Sequence, residues 1–173
     1  MPSPDLSTTY LGINLSSPVV ASAGPLTRDV ESMKKLEAAG AAAVVLPSLF
    51  QEEAEAEEIQ AYELSTMADG FAEFASAPLP EIDPAAIGPG RHIKLLRDAK
   101  NALKIPVFAS LNGATLGGWS RYATQYQDAG ADALELNLYS VNASPSDTAA
   151  VIEDRYLAII DAVRKSITIP LSV

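Results

Sequence analysis

The chain has 173 residues, no cysteine and a formal net charge of −10 at pH 7. That length supports about one domain with a real core, and without cysteine there is no disulfide framework, no thiolate metal site and no cysteine nucleophile. The acidic balance argues against DNA or RNA as a partner, because phosphate binding needs clustered Lys and Arg.

Met1-Pro-Ser-Pro-Asp5 lacks the charged-then-apolar pattern of a signal peptide. No apolar run reaches the roughly 18 residues of a membrane helix. A soluble, cytoplasmic protein with no membrane or nucleic-acid partner is expected. Leu6 to Ser17 reads as a short hairpin, with Gly12 and Asn14 as turn candidates. Pro18 to Gly24 is a short apolar run closed by small residues, a buried strand and then a loop that a ligand can approach closely. Thr27 or Asp29 can cap a helix over Val30 to Ala39, and Gly40 stands where a C-terminal cap glycine belongs. Ala41 to Pro47 is a second buried strand, continuous rather than alternating, as in parallel sheets covered on both faces.

An acidic helix is predicted over Gln51 to Leu64, and its carboxylates read as a solvated face. Such carboxylates do not converge on a metal, so no metal site is expected. Ala68 to Arg91, rich in Pro and Gly, reads as a long irregular connection of the kind that forms lids and binding loops. A helix from Arg91 to Leu103 follows, then a third strand over Ile105 to Leu111. Asn112-Gly113 reads equally as a turn or a site, and Gly117-Gly118 as the approach to a helix over Trp119 to Asp128. Ala133 to Leu136 is the fourth strand, Ser146 or Asp147 can cap a helix over Ala149 to Lys165, and Ile167 to Val173 opens a fifth strand. His92, the one histidine, reads as a surface or capping residue, and Trp119 and Tyr122 as core or rim.

Two echoes point to a repeated unit. Glu37-Ala-Ala-Gly-Ala resembles Gln127-Asp-Ala-Gly-Ala, and Lys104-Ile-Pro-Val resembles Thr168-Ile-Pro-Leu. Alternating helices and buried parallel strands allow an open doubly wound sheet or a barrel. Neither GxGxxG nor a P-loop follows any strand, which favours the barrel. A (β/α)8 TIM barrel needs about 250 residues, and here there are roughly four and a half units. The expectation is therefore an α/β fold, about the first half of one barrel domain spanning 1–173. The other reading is a half-barrel that pairs with another copy as a homo-oligomer.

Polar groups gather just past the fourth strand, at the end where α/β proteins bind ligands: Asn137, Ser140 and Asn142. They read either as a site or as an Asx-turn leaving the strand. With the opening Leu-Gly-Ile-Asn-Leu-Ser-Ser-Pro-Val-Val, the Ala-Ser-Ala-Gly loop, the Ala-Ser-Leu-Asn-Gly strand end and Glu-Leu-Asn-Leu-Tyr-Ser-Val-Asn, the chain resembles the dihydroorotate dehydrogenase-like group of FMN-dependent (β/α)8 barrels. The resemblance implies an oxidoreductase acting on a CH–CH bond of a small molecule, as in pyrimidine biosynthesis, with FMN as cofactor. It also implies that Asn137 touches flavin and substrate, that Ser140 takes the place of the base, and that Asn142 hydrogen-bonds the substrate. Ala21, Ser22, Ala23 and Gly24 match the loop whose backbone packs on the flavin, and Asn112 lies within a residue of a flavin-contacting Asn. A serine is a weak base alone and needs a shuttle or water behind it. Pro47, followed by Ser48, stands where the family carries a lysine, and Val141 where it carries proline. The family's later lysine and phosphate-binding loops would fall past Val173, so FMN binding by this chain alone is expected to be weak. These departures leave the substrate open and keep an alternative in view: a truncated, non-catalytic β/α scaffold that associates with a partner.

Overall fold

The computed structural model describes residues 4–72, 88–113, 115–138 and 144–173, the side chains of 64–72 apart. An antiparallel hairpin, β1 (Thr8–Tyr10) and β2 (Ile13–Leu15), opens the described chain. Leu11 and Gly12 form its turn at φ 53° and 76°. Positive φ at both central residues gives the mirror-image turn that follows the twist of a tight hairpin. Asn14 is not in that turn; it lies in β2, opposite Thr9. Leu11 accepts the left-handed backbone because its side chain packs against the cluster around Leu15 and Phe108.

Strands and helices then alternate. β3 (Val20–Ala21), a 3-10 turn at Pro25–Thr27, α1 (Val30–Ala38), β4 (Ala43–Val45), β5 (Leu49–Phe50), α2 (Gln51–Ala72), α3 (Gly88–Ala102), β6 (Val107–Asn112), α4 (Leu116–Asp128), β7 (Ala133–Leu136), α5 (Ala149–Ser166) and β8 (Leu171–Ser172) follow in order. The main sheet is parallel in its described pairings, with order β3-β4-β6-β7-β8, and β5 also pairs β6. Four residues separate Val45 from Leu49 where three separate their partners Phe108 and Leu111. The extra residue makes a bulge around Leu46-Pro47-Ser48, which tolerates a proline that has no N–H to give the ladder.

Strand order follows chain order throughout. Right-handed crossovers between successive neighbours place every helix on one face. The packing agrees: Val44, Leu46, Val107, Ala109, Leu111, Leu134 and Leu136 join Met33, Leu96, Tyr122 and Val163 of the helices in one core cluster. The opposite face carries Ala43, Val45, Phe108 and Ala133, and the residues clustered there come from the hairpin, the strands and their flanking loops. Among the described residues, no helix is long and apolar enough to cross a membrane.

Several local expectations change. Asp29, not Thr27, caps α1, accepting from Ser32 N at 2.8 Å, and Gly40 closes the helix at φ 99°. Thr27 is buried in the 3-10 turn instead. α2 continues past Leu64 to Ala72 and α3 begins at Gly88, so only 73–87 of the expected irregular stretch lie outside the described residues. The acidic run is not merely solvated. Glu57 Oε2 accepts from Gly88 N at 2.6 Å, satisfying an orphan donor at the start of α3, and Glu57 Oε1 meets Arg91 at 3.3 Å. Glu58 pairs with Arg121 at 3.4 Å. α4 starts at Leu116, capped by Thr115, so Gly117 and Gly118 lie in its first turn. Thr148, rather than Ser146 or Asp147, caps α5. Asp147 instead faces Arg155 at 3.5 Å.

Candidate functional site

Along β6 and β7 the face away from the helices changes character. Near the strand starts it carries Phe108 and Ala133; one step on, Ser110 pairs in register with Glu135, and Glu135 with Ser172 of β8. Parallel strands send their C-terminal ends to the same side, so these polar groups form one layer there. The bulge before β5 brings Ser48 into it. Ser48 Oγ lies 2.8 Å from Ser110 Oγ, and Ser110 Oγ donates to Glu135 Oε1 at 3.1 Å. Asn137, directly after β7, is anchored by its N–H to Leu111 O at 2.9 Å. Its Nδ2 donates to Ser48 Oγ at 3.1 Å and Ser110 Oγ at 2.9 Å. Ser110 is 0 % exposed, while Ser48, Glu135 and Asn137 are half-buried.

Two cavities flank this network. A cleft of about 780 Å³ is lined by Ala23, Gly24, Arg28, Pro47, Ser48 and His92 among others. A smaller cavity of about 390 Å³ on the hairpin side is lined by Tyr10, Ser22, Phe108, Glu135 and Ser172 among others. Both volumes fall in or near the range of small-ligand pockets, roughly 300–1,000 Å³. Ser48 thus opens on one cavity and Glu135 on the other.

In comparisons with known proteins, no family model matches the chain and no curated protein matches it. Chemistry therefore has to be argued from the site.

Asn137 is drawn into the polar layer. Asn112 ends β6, in register with Phe50. The loop Ala21 to Gly24 leaves β3 and divides between the cavities, Ser22 on the smaller, Ala23 and Gly24 on the larger. Ser140 and Asn142 lie outside the described residues. Three members of the network, Ser48, Ser110 and Glu135, are not among the expected site residues. Ser110 and Glu135 carried one signal, a polar residue inside an apolar strand, in Val107-Phe-Ala-Ser-Leu111 and Ala133-Leu-Glu-Leu136; Ser48, between strands, carried none.

His92 is half-buried in the first turns of α3 and lines the larger cleft, not the open surface. Burial lowers its pKa first and the Arg91 charge adds to this; a hydrogen bond with the Pro47 backbone and the Glu57 carboxylate oppose both. A neutral imidazole braced on the Pro47 bulge supports the segment that places Ser48. Cations also border the cleft. Arg91 pairs with Glu57 and Lys94 with Asp98 at 2.6 Å, whereas Arg28 forms no ion pair among the described residues.

At the larger cleft the loop after β3 offers contact rather than a free Gly24 donor. Gly24 N–H is already given to Thr27 Oγ1 at 3.2 Å, and Gly24 O accepts from Thr27 N at 3.1 Å. What remains is small, uncharged backbone for van der Waals contact. Asn137 gives both Nδ2 hydrogens to the serines, which leaves its Oδ1 as an uncharged acceptor of the kind that suits the N–H of an imide-like edge. Among the described residues no group of three or more His, Asp or Glu is placed to hold a metal ion.

Proposed function

We propose that the chain is part of an FMN-dependent oxidoreductase of the dihydroorotate dehydrogenase type, built on a (β/α)8 barrel. A singly wound parallel sheet with helices on one face supports the barrel, because a doubly wound sheet reverses its strand order and covers both faces. The observation that carries the functional reading is the position of Asn137. It sits at the C-terminal strand end, where barrels build their sites, with its amide turned into a polar layer shared by neighbouring strands.

Ala23 and Gly24 would pack against the ring, and Asn137 would hydrogen-bond its polar edge. FMN, when bound, supplies the hydride acceptor. The chain's own residues orient a small substrate by hydrogen bonds and hold a proton near it. Arg28 on the cleft wall favours a ligand with negative charge. Cytoplasmic location and a role in pyrimidine-type chemistry belong to this proposal as well.

Titrating FMN with the chain tests it. Flavin fluorescence falls on binding, and Asn137→Ala weakens the binding about tenfold, the value of one hydrogen bond of ~1.4 kcal/mol. Because the expected affinity is weak, the titration runs to high protein concentration, and FMN fluorescence unaltered even there would reject the flavin site. Pro47, where the resemblance calls for lysine, favours a second reading, a non-catalytic scaffold that associates with a partner. That reading predicts no flavin response.

A further inference from the structure

The hydroxyl protons of the polar layer can be assigned from donor counting. An ionised carboxylate only accepts, so the 3.1 Å contact places the single Ser110 proton on the side of Glu135. Ser110 has then no proton left for Ser48, and the 2.8 Å contact between their oxygens is a donation from Ser48 to Ser110. The Asn137 amide fixes this direction by donating to both oxygens. Were it turned over, its oxygen would call for both serine protons and none would reach Glu135. All hydroxyl groups therefore point one way, from the larger cleft toward the smaller cavity.

We infer that Ser48, Ser110 and Glu135 form a proton relay that carries a proton from a weak acid bound in the larger cleft to Glu135 and on to water in the smaller cavity, which Glu135 lines. The ligand class is a molecule with an ionisable N–H or C–H beside a carbonyl; that class rests on the proposed flavin function, whereas the relay rests on the hydrogen bonds alone. Ser48 takes the ligand's proton as it passes its own to Ser110, and Ser110 passes its own to the carboxylate. At each serine one O–H bond forms and one breaks. Glu135 hands the proton on to water in the smaller cavity and is a carboxylate again, while the electron pair stays on the ligand as a negative charge near Arg28. Ser110, buried on all sides, keeps bulk water from short-circuiting the transfer.

Carbon-13 NMR of the full chain, labelled at the glutamate carboxyls, tests the relay at neutral pH. Loss of one signal in Glu135→Gln assigns it. Ser110→Ala should shift the Glu135 signal, and Ser48→Ala, which removes no direct contact with Glu135, should shift it less but in the same direction. Lys165→Ala, on the exposed surface of α5 outside both cavities, serves as the control that leaves it in place. With dihydroorotate as the probe, proton NMR in D2O should show the C–H beside its carbonyl exchanging faster with the wild type than with Ser48→Ala. A Glu135 signal indifferent to Ser48→Ala overturns the relay, as does exchange of the bound probe that Ser48→Ala leaves unchanged. Failure of dihydroorotate or FMN to bind counts against the flavin function, and the two serine variants then decide for or against the relay by themselves.

Discussion

Gly118 in α4 offers a test of how β6 hands over to its helix. A Cβ at this position would overlap the side-chain amide of Gln51. In an open helical site, Gly→Ala stabilises by about 1 kcal/mol. Here the methyl must drive out a side chain that is 2 % exposed. Gln51 Oε1 accepts from Thr115 N at 3.0 Å, and its Nε2 donates to Thr115 Oγ1 at 2.9 Å and to Glu55 at 2.7 Å. Overpacking costs about 1–3 kcal/mol and each lost hydrogen bond about 0.5–1.5 kcal/mol, so displacement wins and Gly118→Ala destabilises by about 2 kcal/mol net. Gln51→Ala alone costs about 1–2 kcal/mol, because Thr115 is exposed and its freed N–H regains water. In that background the obstacle is gone, and Gly118→Ala should recover its helical gain of about 1 kcal/mol. The double-mutant cycle therefore carries a favourable coupling of about 2–3 kcal/mol, read from urea unfolding of the four proteins. Additive single effects, or a stabilising Gly118→Ala in the wild type, would refute the reasoning.

Two further outcomes follow from buried polar groups. Burial lowers the His92 pKa from 6.5, so the unfolded chain takes up that proton at higher pH than the folded one. Stability is then undiminished above 6.5 and is lost as pH falls from there through the folded value. His92→Gln should flatten this part of the urea-midpoint profile, and an unchanged difference between the two proteins across that window counts against a buried neutral imidazole. The Tyr126 hydroxyl is buried with no hydrogen-bond partner among the described residues, and burial alone holds its phenol above the ordinary value. Tyr126→Phe should therefore be neutral or stabilising by up to about 1 kcal/mol, against the usual loss when a bonded hydroxyl is removed. A clear fall in thermal midpoint would show that the hydroxyl has a partner.

The strands were legible because their apolar runs are short, continuous and flanked by turns, and α1 because Asp29 and Gly40 mark its ends. Where the reading failed, a distant group had changed the local rule. Gly88-Pro-Gly90 looks like a loop, yet proline is tolerated in a first helical turn, and Glu57, 31 residues earlier, satisfies the Gly88 N–H. Asn137 could be chosen because it follows a strand directly. Its partners could not: Ser48 and Ser110 meet across 62 positions and Ser110 and Glu135 across 25. Only the sheet register brings them together, and no local periodicity carries that information.

The internal echo has a physical basis that reaches further than similar strands. Glu37 and Gln127 stand at matching places, each three residues before a glycine with φ near 100°, Gly40 at 99° and Gly130 at 95°. Glu37 Oε1 accepts from Lys104 N at 2.8 Å and Ile105 N at 3.1 Å. Gln127 Oε1 accepts from Thr168 N at 2.6 Å and Ile169 N at 3.3 Å. Those acceptors serve the two Ile-Pro segments, the second half of the echo. In both cases the last turn of one helix satisfies the backbone that enters the next strand of the sheet, just where proline leaves the ladder a donor short. A carboxylate and an amide do this equally well, because one oxygen suffices. The device ties each β/α unit to its successor rather than to itself, β4 to β6 and β7 to β8. Between β6 and β7 the tie is Asp132, whose Oδ2 accepts from Val107 N at 2.7 Å, and that register aligns Ser110 with Glu135.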